Sequence, residues 1–79
     1  MPWRVLEHGG QTWNVSYAAE LGPNSSQWNL VLSFRATDSG KRLVWVTYPL
    51  SSSSKAALFA RADRLSNKEL MELLVARLA

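Results

Sequence analysis

Apolar and polar residues alternate along two segments in the first half of the chain. In residues 12–17, TWNVSY, the side chains of Trp13, Val15 and Tyr17 fall on one side and polar side chains on the other. Residues 28–36, WNLVLSFRA, repeat the pattern with mainly apolar residues at every second position. Because successive side chains of a strand point to opposite faces, this alternation predicts two strands that each lay one face on a core.

Turn residues divide this half of the chain into four predicted strands. Gly9-Gly10 separates the short segment 3–8 from residues 12–17, and both glycines can adopt the positive φ of a tight hairpin turn. A two-residue turn there places Leu6 beside Trp13, whereas a three-residue loop places Val5 and Trp3 on that face. A second turn, TDSGK at 37–41, precedes the fourth strand, RLVWVTY, which Pro49 is predicted to end.

The second half of the chain is helical in its periodicity. Ser53 or Ser54 is a predicted helix N-cap, and an apolar stripe follows it. Ser66 and Glu69 form the S-x-x-E pattern of a capping box, so we expect a break near residue 66 and a second helix to the C-terminus. The stripes of the two helices comprise Leu58, Phe59, Ala62 and Leu65 in the first, and Leu70, Met71, Leu74, Val75 and Leu78 in the second.

The order of elements predicts an α+β fold, with a four-stranded antiparallel meander sheet followed by two C-terminal helices packed on one face (β-β-β-β-α-α). A chain of 79 residues has room for one domain, so residues 1–79 are expected to form it, with strands within 3–49 and helices within 53–79.

The fourth strand does not alternate, and its register decides which of its side chains enter the core. A turn of two or four residues places Leu43 and Trp45 on the face of Leu32 and Phe34, whereas a three-residue loop reverses both faces. We adopt the first register. The expected inner face then contains Trp13, Val15, Leu30, Leu32, Phe34, Leu43 and Trp45.

Two short helices cannot cover both faces of a four-stranded sheet. The uncovered face is expected to expose an apolar patch of roughly 300–500 Å², a size that often marks an interaction site. Asn14, Ser16 and Arg4 are expected at its rim. The candidate interface residues are Val31, Val44, Val46, Tyr48, Arg35 and Arg42.

Composition and charge narrow the possible functions. The net charge of +3 is spread along the chain and interleaved with acids, whereas nucleic-acid binders usually concentrate their positive charge. The chain has no cysteine, which excludes disulfides and thiolate sites. It has no apolar run of membrane-spanning length and no apolar segment typical of a signal peptide near Met1, so we expect a cytoplasmic protein without a membrane partner.

Catalytic patterns are not evident. His8 is the single histidine and lies beside a Gly-Gly turn, which favours a solvated turn residue over a metal ligand. The serines at 51–54 have no neighbouring base and are typical of a loop and helix cap. The six acids are scattered without a pair placed for acid–base work. We therefore expect no enzyme, no metal and no cofactor.

The sequence favours a small non-catalytic interaction module, either a homo-oligomer or a module that docks a protein partner through the outer sheet face. The alternative is a single-stranded nucleic-acid-binding protein that uses the same face, with Tyr48 for base stacking and Arg4, Arg35 and Arg42 for the phosphate backbone.

Overall fold

The structure, a computed structural model, describes residues 3–23, 26–37 and 42–79. It contains one antiparallel sheet with strand order β1-β2-β3-β4, followed by two helices that pack on the sheet, which confirms the predicted fold class. The elements are β1 (Arg4–His8), β2 (Gln11–Leu21), β3 (Trp28–Ala36), β4 (Leu43–Ser52), α1 (Lys55–Ala62) and α2 (Asn67–Leu78).

The first hairpin is closed by the two-residue Gly9-Gly10 turn. Both glycines have positive φ, +59° and +75°, a backbone conformation that other L-residues adopt at a cost. His8 pairs with Gln11, and Leu6 pairs with Trp13. Leu6 is therefore buried, and Val5 lies on the opposite face with 51% of its surface exposed. The two-residue alternative is confirmed for this turn.

The second hairpin has the opposite parity from the one we expected. Phe34 pairs with Val44, and the amide of Ala36 donates to the carbonyl of Arg42 at 2.9 Å. Five positions, 37–41, separate Ala36 from Arg42. Compared with a turn of two or four residues, an odd number of loop residues places every side chain of the following strand on the opposite face. The positions of the predicted turn, two residues at Ser39-Gly40 or four residues at 38–41, lie outside the described residues.

Two predictions about β4 are therefore wrong. Leu43 and Trp45 lie on the outer face, 42% and 53% exposed, instead of in the core. Val44, Val46 and Tyr48 lie on the inner face, where they are half-buried against the core that the helices cover. The odd loop length is the physical cause of both errors.

β4 also continues beyond Pro49, its predicted end, to Ser52. The register between β3 and β4 shifts at Asn29/Leu30, so that Pro49 and Leu50 lie between the paired residues Tyr48 and Ser51. A proline fits at such an irregularity because it donates no ladder hydrogen bond there. The two extra residues preserve the parity, and Leu50 packs against the core like Tyr48.

Both helices begin at the serines that the sequence indicated. The Ser54 hydroxyl accepts from the amide of Ala57 at 3.3 Å and caps α1. The Ser66 hydroxyl accepts from the amide of Glu69 at 3.1 Å, and the Glu69 carboxylate accepts from the Ser66 amide at 3.3 Å. This reciprocal pair is the predicted capping box, and it starts a second helix after a break at residues 63–66.

The core lies between the inner face of the sheet and the two helices. Leu58 and Ala62 of α1 and Leu70 and Leu74 of α2 are fully buried. Val75, expected in the stripe of α2, is 41% exposed, whereas Leu73 packs against the core. The buried core residues are Leu6, Trp13, Val15, Leu30, Leu32, Phe34, Ala36, Leu58, Ala62, Leu65, Leu70 and Leu74.

Candidate functional site

The outer face of the sheet is the face opposite the helices, and strand pairing fixes its side-chain rows. Three rows cross its centre. They are Val5–Asn14–Arg35–Leu43, then Ser16–Ser33–Trp45, then Ala18–Val31–Thr47. Apolar side chains concentrate toward β4, and small polar side chains occupy the middle of β2 and β3. The face is thus a polar surface with an apolar corner.

Trp45 is the centre of that corner. It pairs with Ser33 across the strands, and Leu43 and Thr47 flank it on its own strand on the same face. A serine side chain is too small to cover an indole, so the ring stands above its neighbour with 53% of the residue exposed. Half-buried Val31 lies diagonally across from it. The combination places an aromatic ring among aliphatic side chains at the surface.

The structure divides the predicted interface residues between the two faces. Val31 and Arg35 lie on the outer face, as expected. Val44, Val46 and Tyr48 lie on the inner face. The residues that sequence reasoning missed are Trp45 and Leu43, and Val5 lies on this face as the two-residue Gly9-Gly10 turn predicts. An odd number of residues in the loop between β3 and β4 is the feature that would have placed Trp45 and Leu43 on the outer face.

Arg42 was expected on the outer rim and lies elsewhere. Its guanidinium is 5.7 Å from the centre of the Trp13 ring. Because Trp13 is buried in the core, Arg42 belongs to the inner side of the sheet. A cation over an aromatic face is stabilised by the quadrupole of the ring. The expectation that Arg42 borders the outer patch is wrong, because Arg42, which directly precedes β4, follows the same reversed parity as that strand.

Arg4, also expected at the rim, fastens β1 to the connection between the helices. Its guanidinium donates to Asn67 Oδ1 at 2.8 Å and to the carbonyl of Asp63 at 3.1 Å. Trp3 Nε1 donates to Asp63 Oδ1 at 2.9 Å, and the Arg4 guanidinium lies 4.5 Å from the Trp3 ring centre. These contacts give Arg4 a structural role on the helix side of the sheet.

The outer face has little positive charge. Among its described residues Arg35 is the basic one, and Glu7 and Glu20 are the acidic ones. Glu7 accepts a hydrogen bond from the Thr12 hydroxyl at 2.8 Å. The described part of this face thus has a slight excess of negative charge, although the whole chain is positive.

An open cleft of about 340 Å³ lies at the end of the sheet, lined by His8, Gly9, Gln11, Trp13, Arg42 and Leu78. Trp13 Nε1 is buried and has no hydrogen-bond partner among the described residues. The described residues of its lining include one histidine, one arginine and no carboxylate, so by themselves they offer neither an acid–base pair nor a ligand set for a metal. In the described ranges no three His, Cys, Asp or Glu residues are grouped so as to hold a metal ion.

The serine segment and its lysine have structural partners. The Ser52 hydroxyl accepts from the amide of Ser54 at 3.2 Å, and Ser54 caps α1. The Lys55 ammonium lies 4.6 Å from the centre of the Trp28 ring. The segment thus fastens the end of β4 to the start of α1.

Comparison of the chain with protein-family models, with curated proteins and with solved structures finds no match. None of the helices in the described part of the chain has both the length and the apolar character needed to cross a membrane.

Proposed function

We propose that the chain is a non-catalytic interaction module that docks a protein partner through the outer face of its sheet. The observation that carries the proposal is Trp45, which is 53% exposed and has Leu43 and Val31 beside it on a face that the helices leave uncovered. A large aromatic side chain at the surface is the residue type most often found at the energetic centre of protein interfaces.

The dimensions of the face suit a small interface. Four strands spaced by about 4.8 Å, with about seven residues each rising about 3.3 Å, give a flat footprint on the order of 400 Å². A standard interface buries about 800 Å² on each partner. A partner docked on this face alone therefore makes a contact of the size seen in transient complexes, and a longer-lived complex needs surface beyond the sheet face.

The charge of the face favours a protein over a nucleic acid. Arg35 lies one row from Trp45, and the acidic side chains Glu7 and Glu20 lie toward the ends of the same face. A polyanion gains affinity in proportion to the phosphates that cations neutralise, and this face offers one described arginine. A protein with a mixed polar rim suits such a surface.

Single-stranded nucleic acid is the second candidate, and the neighbouring positions of Trp45 and Arg35 favour it. One base can stack on the exposed indole while the guanidinium contacts a phosphate, and such stacking contributes about 1–3 kcal/mol per base. The face offers one described aromatic ring, so this alternative predicts weak and salt-sensitive binding.

A matched pair of valine substitutions tests the leading proposal. Val31→Lys places a charge near Trp45 on the outer face, and Val75→Lys places the same charge on exposed α2. With each variant as bait in extracts of the source cells, we expect a protein that the wild type and Val75→Lys retain and Val31→Lys loses. An identical set of captured proteins for all three baits would contradict docking on this face.

Light scattering with a mixed-sequence single-stranded oligonucleotide separates the two candidates. The proposal expects no change in mass on addition of the oligonucleotide at physiological salt. A complex that weakens steeply with salt and is lost in Arg35→Glu would favour the nucleic-acid alternative instead.

A further inference from the structure

β4 is an edge strand that lacks most of the usual protection against pairing. It is ten residues long, LVWVTYPLSS, and it contains no charged side chain. The opposite edge, β1, has five residues and contains Arg4, Glu7 and His8. Natural sheets protect their edges with short strands, charges, prolines or bulges. In β4 the proline and the irregular register lie at Pro49, so residues 43–48 remain a regular, uncharged edge of high strand propensity.

The hydrogen bonds of the hairpin show which backbone groups of β4 point outward. Ala36 donates to Arg42, so the even-numbered residues of β4 form the hydrogen-bonded pairs with β3. Thr37 donates to Thr12, which agrees with odd-numbered residues of β3 bonding to β2. The odd-numbered residues of β4 therefore direct their N–H and C=O groups to the free edge. Up to the irregularity these are Leu43, Trp45 and Thr47.

We propose that β4 pairs with β4 of a second copy of this chain, antiparallel and centred on Trp45. In this register Trp45 faces Trp45 of the second copy, and Leu43 faces Thr47 of the second copy on either side. All three are hydrogen-bonded pairs, so the ladder contains about six hydrogen bonds, because each such pair exchanges two. If the register is displaced by two residues in either direction, only two of Leu43, Trp45 and Thr47 on each strand pair within this set of three. The third outward residue of each strand is then left outside it.

The side chains agree with the same register. On the inner side, Val44 lies opposite Val46 of the second copy, so uncharged β-branched residues meet where both are now half-buried at the sheet edge. On the outer side the two Trp45 rings come together. Pro49 ends the ladder because it has no N–H to donate. A second copy thus matches the edge in hydrogen bonding, in polarity and in length.

The pairing joins two four-stranded sheets into one and keeps both sets of helices on the same side. The two outer faces then form a continuous surface with the apolar corners at its centre. This inference goes beyond the proposed function and does not depend on it, since the pairing rests on the outward N–H and C=O groups of β4 and the docking proposal rests on side chains of the outer face.

Cysteine pairs test both the contact and its register, and the chain has no native cysteine to interfere. Opposed residues in a hydrogen-bonded antiparallel pair have Cα atoms about 5.5 Å apart, which suits a disulfide. Under mild oxidation we expect a mixture of Leu43→Cys and Thr47→Cys proteins to form a disulfide-linked heterodimer. Either variant alone should remain monomeric on a non-reducing gel, because two copies of residue 43 lie four residues out of register. A mixture that does not crosslink, or single variants that crosslink equally well, would overturn the proposal.

Sedimentation equilibrium of the reduced wild-type protein provides the second measurement. We expect a monomer–dimer equilibrium, and we expect Thr47→Pro to raise the dissociation constant by about 10- to 100-fold because it removes two of the inter-strand hydrogen bonds. The matched control Thr47→Ala keeps the N–H and should stay dimeric. Thr47 has no N–H bond to β3 to lose, so far-UV circular dichroism should show a folded monomer for Thr47→Pro. Wild-type protein that stays monomeric at about 100 μM would overturn the inference, since that concentration exceeds the dissociation constant of a specific homodimer of micromolar affinity.

The failures of the two proposals are distinguishable. Val31→Lys lies on β3 and should keep the dimer while it loses a partner captured on the face. Thr47→Pro should lose the dimer, whereas Thr47→Ala, which removes the same side chain from the outer face, should keep it. Loss of the dimer in Val31→Lys would place the self-contact on the face instead of the edge and overturn the pairing.

Discussion

The two faces of the sheet place similar side chains in opposite environments. Phe34 on the inner face is fully buried beneath the helices, whereas Trp45, on the neighbouring strand, is 53% exposed on the outer face. The centre of the inner face is aromatic and aliphatic, and the centre of the outer face contains Asn14, Ser16 and Ser33. The difference indicates that the burial energy of the fold is concentrated on one side of the sheet. Side chains on the other side can change without loss of the core.

The largest expected effect is that of Phe34→Ala. The substitution removes a fully buried ring from the middle strand that contacts α1, and such truncations cost about 3–5 kcal/mol of unfolding free energy. Urea denaturation followed by circular dichroism measures this cost. A loss below about 1 kcal/mol would mean that the core closes around the site without the ring, and the contrast between the faces would fail.

A second comparison uses two neighbouring aliphatic residues of β1. Leu6 is 3% exposed on the inner face, and Val5 is 51% exposed on the outer face. We expect Leu6→Ala to cost about 2–4 kcal/mol and Val5→Ala about 0.5 kcal/mol or less, measured by thermal and urea unfolding. Equal costs would show that the Gly9-Gly10 turn does not fix this register in solution.

The contrast between the two hairpins shows how far the sequence predicts the fold. The Gly9-Gly10 turn allows a small set of loops with known parity, and one of the two alternatives it offered is observed. At residues 37–41 several loop lengths are compatible with the composition. Because both odd- and even-numbered positions of β4 are apolar, the pattern does not show which set of side chains faces the core. The observed register places half-buried Val44, Val46 and Tyr48 on the inner face and leaves Leu43 and Trp45 outside. The number of loop residues fixes this register, and the local pattern of apolar residues does not specify that number.

The candidate site was predictable only in part for the same reason. Val31 and Arg35 belong to β3, whose strict alternation fixed their face, and both lie where expected. Trp45 was assigned to the core from the parity of a two- or four-residue turn, which the observed register reverses. The helix caps were predictable in detail because Ser54, Ser66 and Glu69 act within one turn of sequence. The helix caps were therefore predicted correctly, and the faces of β4, which depend on loop parity, were not.

A smaller effect is expected at the helix that covers the inner face. Ser66→Ala removes the capping box of α2 and should cost about 1 kcal/mol in urea denaturation. Ser16→Ala is the matched control, because Ser16 is an exposed serine on the outer face and should change stability by about 0.5 kcal/mol or less. A cost as large for Ser16→Ala as for Ser66→Ala would assign the outer face a structural role that the comparison denies it.

Trp45→Ala is expected to change stability by no more than Ser66→Ala does, and this substitution sharpens the comparison most. The residue is half exposed and pairs with Ser33, so its removal gives up cross-strand contacts worth about 0.2–1 kcal/mol and creates no cavity. When an aromatic residue at the centre of an interface is replaced by alanine, the binding free energy weakens by about 2 kcal/mol or more. Trp45→Ala should therefore unfold at nearly the wild-type urea concentration in dilute solution and still lose affinity for a captured partner. A stability loss comparable to that of Phe34→Ala would instead mean that the indole packs into the fold, and the outer face would then be a second core surface.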